Sequence, residues 1–185
     1  DRERLQVLEV EVKIITDIDI ISKKLLSLGF KKGKEIYEKD TYFNGKCTDL
    51  KKEDKALRIR EYREKGNELG HFILNYKGPK IDNSTMTREE TEFEIPSYED
   101  GESVLNGLGL FPAGYVEKIR NTYVKEDITC CLDRVTELGE FVEVEIITHE
   151  AGYESALSRI EGLLKMLGLD MQDTIRESYL CMLQK

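Results

Sequence analysis

Two glutamates and a lysine alternate with valine in the segment Glu9-Val10-Glu11-Val12-Lys13. Successive side chains of a strand point to opposite faces, so the three charged side chains share one face. Two carboxylates at this spacing can share a hard divalent cation such as Mg²⁺ or Mn²⁺, which prefers oxygen ligands and bridges phosphate oxygens. The segment therefore indicates a candidate site for a divalent cation.

Charged faces of this kind recur on about seven of the strands that period-two alternation predicts. The basic members are Lys13, Arg58, Arg60, Lys77, Arg88, Lys118 and Arg120, and the acidic members are Glu9, Glu11, Glu90, Glu92, Glu94, Asp133, Glu143 and Glu145. The basic side chains can match the charges of a polyphosphate, and arginine suits bidentate phosphate contact. The carboxylates would be superfluous against phosphate alone, which favours a bound cation.

A charged face on one amphipathic strand is usually the solvated side of a half-buried sheet, and that alternative stays open for each strand. An antiparallel sheet of about eight strands can instead close into a barrel. If amphipathic helices cover the apolar outside, the charged faces point inward. We therefore expect an α+β fold, an eight-stranded antiparallel β-barrel or tunnel with a charged lumen, covered outside by α-helices.

The predicted elements follow each other without a low-complexity linker, so one domain is expected over residues 1–185. Strands are predicted over 7–15, 34–43, 56–62, 71–77, 88–95, 116–124, 128–133 and 141–148. Helices are predicted from Thr16 to Gly29 and over 98–108, 151–167 and 173–183. The glycine-containing segments 63–70 and 78–87 are candidate lids.

Composition excludes several classes of protein. Against 28 Lys and Arg stand 37 Asp and Glu, a net charge of −9 that argues against a general nucleic-acid binder. The sequence has no apolar run of about 18 residues, so no membrane span is predicted. The first residues also lack the apolar segment of a signal peptide. Four cysteines without a CxxC pair and two histidines make a zinc site improbable and suggest reduced thiols in a cytoplasmic protein.

The ordered set of motifs resembles the CYTH superfamily, the triphosphate tunnel metalloenzymes, over nearly the whole chain. The matching segments are ExExK at 9–13, LRIR at 57–60, KGP at 77–79, RxExE at 88–92, EKxR at 117–120, the closing hairpin at 132–145 and RESY at 176–179. The KGP step, EKxR and the closing hairpin with RESY are most like the class IV adenylyl cyclases.

The resemblance implies residue roles that the alternation alone leaves open. Metal ligands are expected among Glu9, Glu11, Glu143 and Glu145, with Mg²⁺ or Mn²⁺ as the ion. The expected catalytic residues are Glu9, Glu11, Lys13 and Asp133. The expected triphosphate-binding residues are Lys13, Arg58, Arg60, Lys77, Arg88, Lys118 and Arg120.

The resemblance also implies the reaction, the conversion of ATP to cyclic AMP and pyrophosphate. One alternative is a triphosphatase that hydrolyses inorganic tripolyphosphate, thiamine triphosphate or a nucleoside triphosphate. Another is a non-catalytic module that binds polyphosphate or a nucleotide. The expected partner is a small triphosphate, not a nucleic-acid polymer or a membrane, and the expected state is a monomer or homodimer.

Overall fold

The computed structural model describes residues 7–67, 69–81, 83 and 85–185. The first residues, where the sequence predicts no signal segment, lie outside this range. Within it, every helix is too short or too polar to cross a bilayer.

Eight antiparallel strands form a closed barrel in the order β1-β5-β4-β3-β2-β6-β7-β8. They are β1 Val7–Ile15, β2 Lys31–Gly45, β3 Ala56–Glu64, β4 His71–Lys80, β5 Arg88–Ile95, β6 Leu110–Lys125, β7 Ile128–Val135 and β8 Gly139–His149. The first and last strands pair along all of β1, from Val7 opposite His149 to Ile15 opposite Phe141. This architecture confirms the expected barrel.

Alternation along the strands separates an apolar exterior from a charged interior. Helices α1 (Ile18–Ser27) and α3 (Tyr153–Leu167) cover one side, where Val10 and Val12 are buried against Ile21 and Ile160. Helix α2 (Tyr98–Gly107) covers another side and packs Leu105 near Ile59. Because these apolar faces are buried outside, the charged faces of the same strands line the lumen.

A short C-terminal helix, α4 (Tyr179–Leu183), packs at one end of the barrel. At that end the inward positions change from charged to apolar, and Val116, Val135 and Phe141 pack with Tyr179. The rings of Phe141 and Tyr179 meet edge to face, with centroids 5.0 Å apart. At the opposite end, called the open end below, Ile147 borders the lumen and is exposed.

Two of the predicted helices begin at other residues than expected. Helix α1 is capped by Asp17, not Thr16, because the Asp17 carboxylate accepts the backbone N–H groups of Asp19 and Ile20. The helix predicted over 173–183 is only α4, preceded by a 3₁₀ turn at Met171–Asp173. Between the 3₁₀ turn and α4, the Ile175 N–H donates to the Lys13 carbonyl, so the chain here lies along β1 instead of forming a helix.

Strands β2 and β6 are longer than predicted because their mutual pairing extends from Lys31 to Gly45 through two irregularities. Strand β4 continues through the predicted stop at 78–79, since an irregular register between Lys77 and Lys80 accommodates the proline. The candidate lid over 78–87 is therefore partly strand. Its Met86 N–H also donates to the Glu11 carbonyl, which ties the segment to β1.

Candidate active site

The lumen is a cavity of about 220 Å³ that is lined, among the described residues, by seven basic and six acidic side chains. Its basic residues are Lys13, Arg58, Arg60, Lys77, Arg88, Lys118 and Arg120, the complete set that the sequence predicted. The predicted metal ligands Glu9, Glu11, Glu143 and Glu145 also line it. Side chains from seven strands thus meet in one space, as inward alternation requires.

Three of these carboxylates form a compact group, named here the carboxylate triad: Glu9, Glu11 and Glu145. The pairing of β1 with β8 sets Glu11 opposite Glu145. One oxygen from each residue lies within 4.8 Å of the other two. Burial and the nearby Glu9 raise the pKa of Glu145 to about 8, because three close carboxylates repel one another. An all-oxygen donor set with unrelieved negative charge fits a hard divalent cation.

Lys77 lies against the carboxylate triad. Its Nζ forms an ion pair with Glu9 and lies 3.4 Å from Glu90 Oε1 and 3.9 Å from Glu11 Oε2. Burial lowers the pKa of Lys77, but Glu9 and Glu11 outweigh burial and raise the pKa well above its usual range. Lys77 is therefore a permanent cation at the edge of the candidate metal site.

Glu143 stands apart from the triad although it shares a strand face with Glu145. Its Oε1 lies 3.2 Å from Lys13 Nζ, and its other oxygen pairs with Arg120. Burial raises the pKa of Glu143, but Lys13 and Arg120 hold it well below its usual range. Glu143 thus neutralises two cations of the lumen.

Asp133, predicted to be catalytic, is fully buried behind the cations. It accepts hydrogen bonds from Arg120 Nε at 2.7 Å and Nη2 at 2.6 Å, and from the Tyr179 hydroxyl at 2.9 Å. A bidentate carboxylate of this kind fixes the plane of a guanidinium. The geometry places Asp133 as a positioning residue for Arg120.

Two buried carboxylates of β2 were not among the predicted site residues. Asp40 is 1% exposed and accepts from Arg60 Nε and Nη2 at 2.7 and 2.8 Å, and from Arg58 Nη1 at 3.1 Å. Glu38 Oε2 lies 3.3 Å from both Arg60 Nη2 and Lys118 Nζ. The alternation Glu38-Lys39-Asp40 inside a predicted strand was a usable signal, because it repeats the spacing of Glu9 and Glu11.

Tyr179 forms the floor of the lumen at the α4 end. The Nζ atoms of Lys13 and Lys118 lie 4.2 and 5.1 Å from its ring centroid. At these distances the aromatic face attracts both ammonium groups. The tyrosine of the RESY segment therefore orients two lysines of the site.

A family model described as the CYTH domain matches residues 8–179. The chain belongs to the CYTH domain family. It is 39% identical over 175 residues to MJ0240 of Methanocaldococcus jannaschii, named as a candidate adenylate cyclase, a match covering 94% of this chain and 97% of that one.

Solved structures share the architecture of this CYTH domain. PH1819 of Pyrococcus horikoshii is 35% identical with a TM-score of 0.85, covering 95% of this chain and 98% of that one. HpAC1 of Hippeastrum, described as a candidate adenylyl cyclase with a dominant triphosphatase activity, has a TM-score of 0.64 at 22% identity, with 88% of each chain covered. At 22% identity the likeness shows the fold alone.

The lumen of this CYTH domain carries its own counter-ions. Each of the seven basic side chains lies within ion-pair distance of a carboxylate. The cations are thereby held in place without the full cost of burying unpaired charge. The lumen therefore presents preorganised hydrogen-bond donors of positive charge, beside a carboxylate triad whose oxygens could hold a divalent cation.

Proposed function

We propose that this CYTH domain binds a triphosphate in its lumen together with Mg²⁺ or Mn²⁺ and catalyses a reaction at phosphorus. The observation that carries the proposal is the convergence of seven paired cations and a carboxylate triad in one cavity. A purely structural ion network would not need three adjacent carboxylates whose charges repel.

The residues divide into three groups by their surroundings. Glu9, Glu11 and Glu145 would hold the cation, which when bound neutralises phosphate charge and acidifies the attacking oxygen. The seven basic residues of the lumen would bind phosphate oxygens, with Lys77 nearest the cation. Asp133 and Glu143 would position Arg120 and Lys13.

The first candidate reaction is the cyclisation of ATP. The ribose 3′-hydroxyl attacks the α-phosphorus, the bond to the bridging oxygen of the β-phosphate breaks, and pyrophosphate leaves. The hydroxyl proton is released as the new ester bond forms. Lys77, Lys118 and Arg120 would stabilise the negative charge of the departing pyrophosphate. The 39% identity to a candidate adenylate cyclase supports this reaction.

The second candidate reaction is hydrolysis of a triphosphate. Water attacks the terminal phosphorus, the bond from that phosphorus to the bridging oxygen breaks, and the diphosphate leaves, so that the attacked phosphorus is released as orthophosphate. The volume of the lumen is compatible with it, since a cavity of about 220 Å³, smaller than most pockets for organic ligands, can hold a phosphate chain by itself. The triphosphatase activity stated for the Hippeastrum protein shows that one member of this architecture carries out such chemistry.

One product analysis separates the candidates. The protein is incubated with ATP, tripolyphosphate or thiamine triphosphate, each with Mg²⁺ or Mn²⁺. Cyclic AMP with pyrophosphate supports the cyclase, and orthophosphate supports the triphosphatase. Tight binding without turnover of any compound would leave a binding module and refute catalysis.

A variant pair tests whether the carboxylate triad is responsible. Glu11→Gln removes one triad charge with little change in volume. Glu89→Gln is the matched control, because Glu89 lies on β5 with its side chain exposed. Turnover should be lost in the first variant and kept in the second.

A further inference from the structure

A second cavity of about 390 Å³ lies beside α4, against the loop that joins β2 to β3. Apolar side chains form much of its wall, among them Phe43, Leu50, Leu57 and Leu180. Phe43 and Leu50 are themselves buried, so these parts of the wall are built into the fold. The phosphate chemistry described above makes no use of this space.

The second cavity borders the lumen. Tyr42, Ala56, Arg88 and Ser178 line both spaces. Ala56 begins β3 and shares the inward face of Arg58 and Arg60, so the shortest of these side chains stands at the border. A chain of phosphates held by Arg58 would therefore end close to the second cavity.

The two volumes suit different parts of one molecule. Pockets for small organic ligands measure roughly 300–1,000 Å³. The lumen, at about 220 Å³, falls below that range, whereas the second cavity, at about 390 Å³, falls within it. The lumen accommodates a phosphate chain without an attached ring system, and the adjacent space has the size and the apolar walls that a ring system needs.

Arg88 supplies a polar group at the border. It is 6% exposed, and its Nη1 donates to the Gly78 carbonyl at 3.2 Å. Its Nε has no hydrogen-bond partner among the described residues although it is buried. A buried donor without an acceptor is costly, and an oxygen or ring nitrogen of a ligand near the border would relieve that cost.

We propose that the second cavity binds the organic group of the substrate, a flat aromatic heterocycle such as a nucleobase, while the triphosphate lies in the lumen. The inference rests on the proposed function and names its substrate class. It makes an organic triphosphate the preferred substrate over inorganic tripolyphosphate, because only the former occupies both spaces.

Two variants test the inference: one narrows the passage between the lumen and the second cavity, and the other fills part of the second cavity. Ala56→Leu enlarges the smallest border residue, and Leu180→Phe enlarges the α4 side of the wall. Ala151→Leu is the matched control, because Ala151 is exposed and lies outside both cavities. KM and, by calorimetry, Kd are measured for ATP and for tripolyphosphate with Mg²⁺, and melting temperatures verify folding.

The expected result is a rise of about ten- to hundredfold in KM and Kd for ATP, the effect of losing one buried aromatic ring. In Leu180→Phe the values for tripolyphosphate should stay within about twofold of wild type, because Leu180 lines the second cavity and not the lumen. Ala56 also lines the lumen, so Ala56→Leu should raise both constants, but those for ATP by more than those for tripolyphosphate. Equal changes for both compounds, or none, would overturn the inference.

A competing position for the heterocycle lies at the open end. There the rings of Tyr62 and His71 stack with centroids 5.1 Å apart. A loss of ATP affinity in His71→Ala, with Ala56→Leu unaffected, would place the heterocycle there and refute the second cavity. Wild-type protein that neither binds nor turns over any triphosphate would instead refute the proposed function, so the two failures are distinguishable.

Discussion

Replacing Asp40 by asparagine keeps the size of the side chain and removes the charge that Arg58 and Arg60 share. Burial raises the pKa of Asp40, but the two guanidinium groups outweigh burial and hold the pKa well below its usual range. The carboxylate is therefore charged at any pH used for assay. The neutral amide in Asp40→Asn would leave two arginines close together in the lumen without their main counter-ion.

The size of the effect follows from this burial. Breaking a buried ion pair by removing one partner costs about 3–5 kcal/mol of unfolding free energy. In a domain of this length each kcal/mol lowers the melting temperature by roughly 2–4 °C, so a fall of about 6–20 °C is expected. Because Asp40 is charged in the folded protein down to strongly acidic pH, the loss should be the same at about pH 5 and pH 7.

The assay is thermal unfolding by circular dichroism, with and without tripolyphosphate. Polyphosphate oxygens would replace the missing counter-ion, so the ligand should stabilise Asp40→Asn more than it stabilises wild type. Asp173→Asn is the matched control, since Asp173 is exposed. An unchanged melting temperature in Asp40→Asn would refute the role assigned to this carboxylate, and equal stabilisation by tripolyphosphate would refute the idea that the ligand takes its place.

Three more predictions concern the lumen. The Arg60 and Lys118 charges outweigh burial and lower the pKa of Glu38 to about 2, so wild type should lose roughly 3 kcal/mol as pH falls from about 4.5 through 2; acid denaturation should lack this component in Glu38→Gln. Glu11→Ala should weaken Mg²⁺ binding by more than about tenfold, while the free energy of unfolding measured by calorimetry changes little. An unaltered Mg²⁺ affinity would refute the role of Glu11 as a metal ligand. Tyr179→Phe loses only the hydrogen bond to Asp133, about 1–3 kcal/mol, whereas Tyr179→Leu also loses the ring beneath Lys13, so urea denaturation should rank the leucine variant lower.

Alternation in the sequence, together with the resemblance to the CYTH superfamily, predicted the barrel and the basic residues of the lumen. The side-chain period of a strand is two whatever the strand pairs with, so Arg58 and Arg60 share a face before any partner is known. The apolar side chains between these arginines must be buried, and the amphipathic helices that the sequence predicts bury them. These are local properties, and they survived although several element boundaries were wrong.

Partners within the lumen were decided by the tertiary structure. Glu143 and Glu145 are equivalent in the sequence, but the β1–β8 register sets Glu145 opposite Glu11 and Glu143 opposite Lys13. One joins the carboxylate triad and the other an ion pair, a distinction that depends on how the first and last strands of the chain align.

The tertiary structure also decided the role of the buried β2 carboxylates and the presence of the second cavity. Asp40 and Glu38 became counter-ions because β2 pairs with both β3 and β6, which carry their cations. The second cavity exists because α4 packs beside the β2–β3 loop. A sequence determines which face each side chain occupies, since that depends on the local backbone; which charges meet depends on register and closure, which only the folded chain defines.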